Sequence, residues 1–146
     1  MKSLLKERGF TLIEMVLVMA ILMAVVGILI PTYRTFETEK EEQRFFQLLI
    51  HDIYFAQSES YRTQTAVAVK FREGASNYEV VQNLYAPLAT RKLPKTVTVK
   101  KSSNITEIYF RSNGAIRSSG TIRFGTSKGE RSLIVHLGNG RVVLSE

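Results

Sequence analysis

The chain has 146 residues, 20 Lys and Arg against 13 Asp and Glu for a formal net charge of +7, and no cysteine. That length allows one globular domain with a modest core, and the missing thiols exclude a disulfide framework and a thiolate metal site. No repeat at solenoid or propeller spacing and no low-complexity tract appears in it.

Met1 to Gly9 form a short leader carrying Lys2, Lys6 and Arg8 against Glu7. From Phe10 to Ile30 the only ionisable side chain is Glu14, and at about 1.5 Å rise per residue a helix over this run reaches across a hydrocarbon layer of roughly 30 Å. A secretory signal normally ends in a small-x-small cleavage site, whereas this run ends Leu29-Ile30-Pro31-Thr32-Tyr33. A plain membrane anchor explains the apolarity but leaves Glu14 without a purpose. A carboxylate at that depth costs about 2 to 3 kcal/mol, so a partner is expected. Cleavage after Gly9 would free the α-amino group of Phe10, four residues from Glu14 on the same helical face. The counter-charge then comes from the subunit itself or from a neighbouring subunit, and the second option couples burial of the charge to polymerisation. Basic residues flank the run almost evenly, Lys2, Lys6 and Arg8 before it and Arg34, Lys40 and Arg44 after it, so charge alone does not orient it.

The hexapeptide Gly9-Phe10-Thr11-Leu12-Ile13-Glu14, with the helix and Pro31 behind it, resembles the type IV pilin and pseudopilin superfamily. The resemblance implies cleavage after Gly9 by a prepilin peptidase, N-methylation of Phe10, and Glu14 as the assembly carboxylate. It also places the leader in the cytoplasm and the bulk of the chain outside. Residues 1–9 are then a cleaved leader, 10–30 a transmembrane and assembly half-helix, 31–61 an amphipathic half-helix, and 62–146 a β-rich globular domain.

Pro31 falls inside a helical pattern and predicts a kink or a locally melted turn. Glu37 to Arg44 is charge-dense and helix-favouring. Phe45, Phe46, Leu49, Ile50, Ile53 and Ala56 then form a wide apolar stripe opposed by Gln47, His51, Ser58 and Arg62, which predicts packing on a sheet. After Tyr61 the period becomes two: Val67, Val69 and Phe71 alternate with polar or small residues, and Tyr78, Val80 and Gln82 begin a second strand beyond a turn at Gly74 to Asn77. Leu84 to Pro94 holds two prolines and no clean period, and reads as a crossing loop. Val97 and Val99, Ile108 and Phe110, and Ile122 and Phe124 supply further inward rows, punctuated by Ser112-Asn113-Gly114, Lys128-Gly129 and Asn139-Gly140. The last of these predicts a two-residue hairpin turn. One long helix on antiparallel strands is an α+β architecture, and the resemblance adds the lollipop outline of pilins.

Three segments, Phe110 to Gly114, Gly120 to Phe124 and Gly138 to Arg141, look like the last third of H-type minor pseudopilins and their pilus relatives. With its short leader, small size and cysteine-free β domain, the chain is most similar to the D-type minor pseudopilins of Gram-positive competence systems (ComGD-like). That likeness implies a part in the uptake of external DNA.

Charge is segregated along the chain. Residues 84–146 hold eleven basic and three acidic side chains, a net +8, whereas residues 10–83 carry −3. A basic tip attracts a polyanion through sequence-independent phosphate contacts. The candidate DNA-binding residues are Lys100, Lys101, Arg111, Arg117, Arg123, Lys128, Arg131 and Arg141. Some DNA-binding pilus relatives use an arginine pair around the final Gly-Arg turn; here Gly140-Arg141 is present but Val143 stands in the second place. The alternative is that these charges suppress aggregation, or meet anionic wall polymer or an acidic partner. Tyr85, Tyr109 and Phe110 could stack on bases, but in strand positions they read as core or cross-strand residues.

Catalysis is not expected. His51 and His136 are the only histidines, no Gly-rich phosphate loop occurs, and Asp52 and Glu59 are too separated to propose as an acid–base pair. No cofactor or metal is implied. The expected partners are other pilins through the N-terminal helix, the prepilin peptidase, the membrane, and DNA through the basic β domain. The chain would sit in the cell membrane before assembly and in a surface filament afterwards, serving competence, or alternatively a type II-like protein secretion system, or acting as a tip DNA receptor.

Overall fold

Helix α1 (Leu12–Thr63) opens the computed structural model, which describes residues 11–83, 86–137 and 140–145; the side chains of 29–35 and 86 lie outside that description. Thr11 fixes its start. The Glu14 N–H donates to the Thr11 carbonyl at 3.1 Å and lies 3.3 Å from the Thr11 hydroxyl oxygen, which satisfies part of the open first turn. At the other end the Thr63 hydroxyl donates to the Glu59 carbonyl and the Gln64 amide to the Tyr61 carbonyl, both at 2.8 Å. Gln64 then leaves the helix with φ at 53°, the left-handed conformation of a helix C-terminus. The backbone stays helical through Pro31, so the melted turn expected there is absent. One lost donor does not break the hydrogen bonds of the turns on either side.

The chain forms two compact units that divide between Glu37 and Thr38. In the first, no large apolar side chain from Leu12 to Ile28 is less than 45% exposed, so this part builds no core of its own. Among the described residues no helix is long and apolar enough to cross a membrane. The span expected over Phe10 to Ile30 begins at Phe10, which lies outside the described residues, and ends at Leu29 and Ile30, whose side chains do.

In the second unit the helix from Thr38 onward carries two four-stranded antiparallel sheets. Strands β1 (Val67–Phe71), β2 (Asn77–Gln82), β3 (Ala86–Lys92) and β5 (Glu107–Phe110) form one sheet in the order β3-β2-β1-β5. Strands β4 (Thr98–Val99), β6 (Gly120–Thr126), β7 (Gly129–Val135) and β8 (Val142–Ser145) form the other in the order β4-β6-β7-β8. The expected helix stripe is buried at Phe45, Phe46, Leu49, Ile53 and Ala56, and it meets Val67, Val69, Phe71 and Tyr78 of the first sheet and Ile122, Phe124 and Leu133 of the second in one core. Phe124 joins the layers: its ring lies edge-on to Phe45, Phe46 and Phe71 at 6.2, 5.6 and 5.7 Å between centroids, the arrangement that aromatic quadrupoles favour.

Two sequence expectations are corrected. Leu84 to Pro94 is not a crossing loop, because residues Ala86 to Lys92 form edge strand β3, paired to β2 alone with a register shift between Val80 and Val81. An edge strand tolerates Pro87, whose missing N–H need not serve a second neighbour. The β7–β8 connection is also longer than a two-residue turn. Val135 pairs with Val142 and the His136 N–H donates to the Arg141 carbonyl at 3.0 Å, so the ladder closes before Asn139, which itself lies outside the described residues. A slip of two residues keeps every side chain on its expected face, so the alternation survives.

The glycines of two of the noted segments share one contact. Gly114 and Gly140 have φ of 74° and 75°, a region glycine enters without steric penalty. Gln57 of α1 donates its amide to the Gly114 carbonyl at 3.1 Å, and a Cβ on Gly140 would run into the same amide. Both turns are thereby seated against one helical side chain.

Candidate functional site

Gly9 and Phe10, the expected processing residues, lie outside the described residues. Glu14 lies in the first turn of α1 and is exposed, where the positive end of the helix dipole favours a carboxylate. No Lys, Arg or His occurs from Thr11 to Tyr33, so among the described residues nothing nearby on the helix offsets its charge. Thr11 was not among the candidates, although Thr11-x-x-Glu14 ahead of an apolar run is the signature of a capping box. Pro31, the other expected assembly residue, is helical in backbone.

The eight candidate cations do not form one patch. Val99 pairs with Phe124, so strand alternation sets exposed Lys100 beside exposed Arg123 on the solvent face of the second sheet, with the Lys100 N–H bound to the Arg123 carbonyl at 2.8 Å. Arg111 and Arg141 flank the two glycine turns seated on Gln57. Lys128 instead pairs with Glu39 at 2.8 Å, roughly 27 Å from Gln57 along the helix at about 1.5 Å per residue. Lys101 pairs with Glu73 at 3.2 Å and Arg123 with Glu130 at 3.6 Å. Arg117 covers the Tyr109 ring at 5.3 Å. Arg131 lies opposite Phe124 and therefore faces the core side of its sheet, its guanidinium 5.4 Å from the centre of the Phe46 ring. It is removed from an outward DNA surface by strand parity. Phe110 is buried in the core and Tyr109 is half-buried, while Tyr85 lies outside the described residues.

Two buried acids organise the domain. Glu42, 6% exposed, accepts the Ser127 N–H at 2.9 Å and the Ser127 hydroxyl at 3.1 Å, which fastens the β6–β7 turn to α1. Burial pushes its carboxyl upward, but hydrogen bonds from Thr96 and Ser127 together with the Arg131 charge outweigh this and hold it below the ordinary 4.5. A carboxyl depressed on folding contributes stability that is present above 4.5 and is lost as pH falls through its folded value. Wild type should therefore lose melting temperature faster than Glu42→Gln as pH falls from about 5 to about 3. Parallel losses in thermal melts of the two proteins would refute this role.

Asp52, 2% exposed, accepts the Tyr78 hydroxyl at 2.8 Å and the Arg91 Nε–H at 3.1 Å, with His51 Nδ1 at 3.7 Å. Burial, then the hydrogen bond and charge of Asp52, raise the Tyr78 phenol far above its ordinary range, so it remains a donor. The cluster is a structural clamp from α1 to β2 and β3. Among the described residues no group of His, Asp and Glu could hold a metal ion.

Comparison with known proteins gives two family matches. The profile for the prokaryotic N-terminal methylation motif matches residues 4–30, and that for the type II transport protein GspH matches residues 46–140. The chain belongs to the GspH family. Members of this pilin and pseudopilin superfamily are structural subunits that assemble with other pilins, not enzymes. The methylation motif is the segment that a prepilin peptidase processes. The GspH-family fold is shared with the type IV minor pilin FimU of Pseudomonas aeruginosa, seen in two crystal forms. One is 20% identical with a TM-score of 0.59, covering 76% of this chain and 92% of FimU. The other is 19% identical with a TM-score of 0.55, covering 71% and 92%. No curated protein matches the chain.

Proposed function

We propose that this GspH-family chain is a minor pseudopilin of a competence type IV pilus, which helps to initiate or cap the filament and serves the uptake of external DNA. The observation that carries the filament role is the union in one chain of the methylation motif at 4–30 with the GspH domain at 46–140. Residues 1–9 are the cytoplasmic leader removed after Gly9, Phe10 becomes the methylated N-terminus, and 10–30 hold the subunit in the cell membrane until it enters a surface filament. Residues 31–61 continue the helix into the globular part at 62–146. Glu14 meets the freed amine of its own or a neighbouring subunit.

The competence assignment is supported by the +8 charge of residues 84–146 and by the similarity to ComGD-like proteins. A type II-like secretion role is the alternative. A second reading, a DNA receptor at the filament tip, is favoured by exposed Lys100 and Arg123 side by side on one sheet face and by Arg111 and Arg141 at the Gln57 end.

Deletion of the gene in its native host tests these readings together. Transformation is expected to fall by at least about a hundredfold and to return with the wild-type gene; normal transformation with lost protein secretion would establish the alternative. Complementation with the double variant Arg123→Ala, Arg141→Ala should restore filaments but leave uptake at least about tenfold low if the basic surface holds DNA. Full uptake with that variant would leave the chain a structural subunit only.

A further inference from the structure

Lys101, Arg123 and Lys128 each have a carboxylate partner within the chain. Arg44, Lys92 and Lys95 are exposed and, among the described residues, have no ion-pair partner. These three cations converge on one groove of about 510 Å³, where Glu41 is the only acid among the described lining residues. The floor is apolar: Phe45 and Leu48 of α1 line one side, and Leu93 and Pro94 of the segment after β3 line the other. Leu48 is 39% exposed there while Leu93 is 8% exposed.

The walls are preformed. The Leu93 N–H donates to the Ser76 carbonyl at 2.7 Å and the Val97 N–H to the Pro94 carbonyl at 3.0 Å, so the segment after β3 is held in place. A groove that needs no ordering on binding loses less affinity to entropy.

We propose that this groove binds an acidic polypeptide segment bearing one large apolar side chain, contributed by a partner protein. The apolar side chain rests on Leu48 and Leu93, and flanking carboxylates meet Arg44, Lys92 and Lys95. Three cations against one carboxylate give the rim its excess positive charge, and complementary charge steers and orients such a partner. The floor argues against nucleic acid. Single strands bind through exposed aromatic platforms, but Phe45 is 5% exposed and its ring is occupied by Phe46, Tyr78 and Phe124.

The inference stands apart from the competence assignment and is tested without it. Full-length protein in detergent is immobilised and presented with a pooled library of labelled octapeptides, each with one Phe or Leu among Asp and Glu. Retention at low salt that is lost at high salt is expected, with at least a tenfold reduction for Lys92→Glu, Lys95→Glu and for Leu48→Asp, each checked for a native circular dichroism spectrum. A library with Lys in place of the acidic residues should not be retained. Absence of acidic-peptide retention, retention unchanged by the groove variants, or equal displacement by a single-stranded oligonucleotide would each overturn the proposal.

Discussion

Glu14→Ala should still enter the membrane and be cut after Gly9, yet be at least tenfold depleted from sheared filaments relative to wild type, as measured by immunoblot of filament and membrane fractions. Removing a carboxylate that costs about 2 to 3 kcal/mol in the apolar layer makes insertion easier. What disappears is the charge that, on the proposed reading, would draw a free amine to it, and no other ionisable side chain from Phe10 to Ile30 can replace it. A rival role is the other half of a capping box, in which the Glu14 side chain would reach back to the Thr11 N–H; the contact seen uses the Glu14 backbone N–H, which alanine keeps. Glu14→Gln separates the two: glutamine satisfies a capping box as glutamate does, but carries no charge. Charge pairing requires the Gln variant to fail like the Ala variant. Normal incorporation of Glu14→Gln would leave helix capping as the role of this residue.

Asp52→Ala is expected to be the most damaging single change among the polar residues of the globular unit. It strands the buried Tyr78 hydroxyl and the Arg91 guanidinium at once. A buried donor left unsatisfied costs about 1 to 3 kcal/mol, and the loss of the ionic partner adds to it. Arg91 is 45% exposed against 3% for Asp52, so the arginine can turn to water and the total stays near about 3 kcal/mol rather than reaching the full cost of a broken buried pair. For a unit of this size that lowers the melting temperature by roughly 10 °C. Arg91→Ala should cost less than half as much. Thermal unfolding followed by circular dichroism of the full-length protein in detergent decides it, and a loss below about 2 °C for Asp52→Ala would remove the clamp from the account of stability.

The helix was legible because its apolar stripe is long and regular, from Phe45 to Ala56, and β1 and β2 were legible because Val67 to Phe71 and Tyr78 to Gln82 alternate cleanly. Strand β3 was not, since Pro87 argues against a strand unless its place at a sheet edge is known, and edges are a tertiary property. The two buried acids did leave a trace. Glu42 and Asp52 fall in step with Phe45, Phe46, Leu49, Ile53 and Ala56 on the same helical face, and an acid within an apolar stripe calls for a partner on the opposing layer. The dispersal of the cationic set was hidden for a different reason. Net charge counts every lysine and arginine, whereas pairing with Glu39, Glu73 and Glu130 and the parity that turns Arg131 inward arise only when distant strands and α1 meet.

Glu42 fastens the second sheet to α1 through Ser127, and Asp52 fastens the first sheet through Tyr78 and Arg91, about 15 Å further along the same rod at about 1.5 Å per residue. Each layer thus has its own polar attachment to the helix, beside the apolar core that α1 shares with both sheets. In a filament subunit held by its stem, as proposed, a pull on the rod would reach the two layers through separate polar contacts.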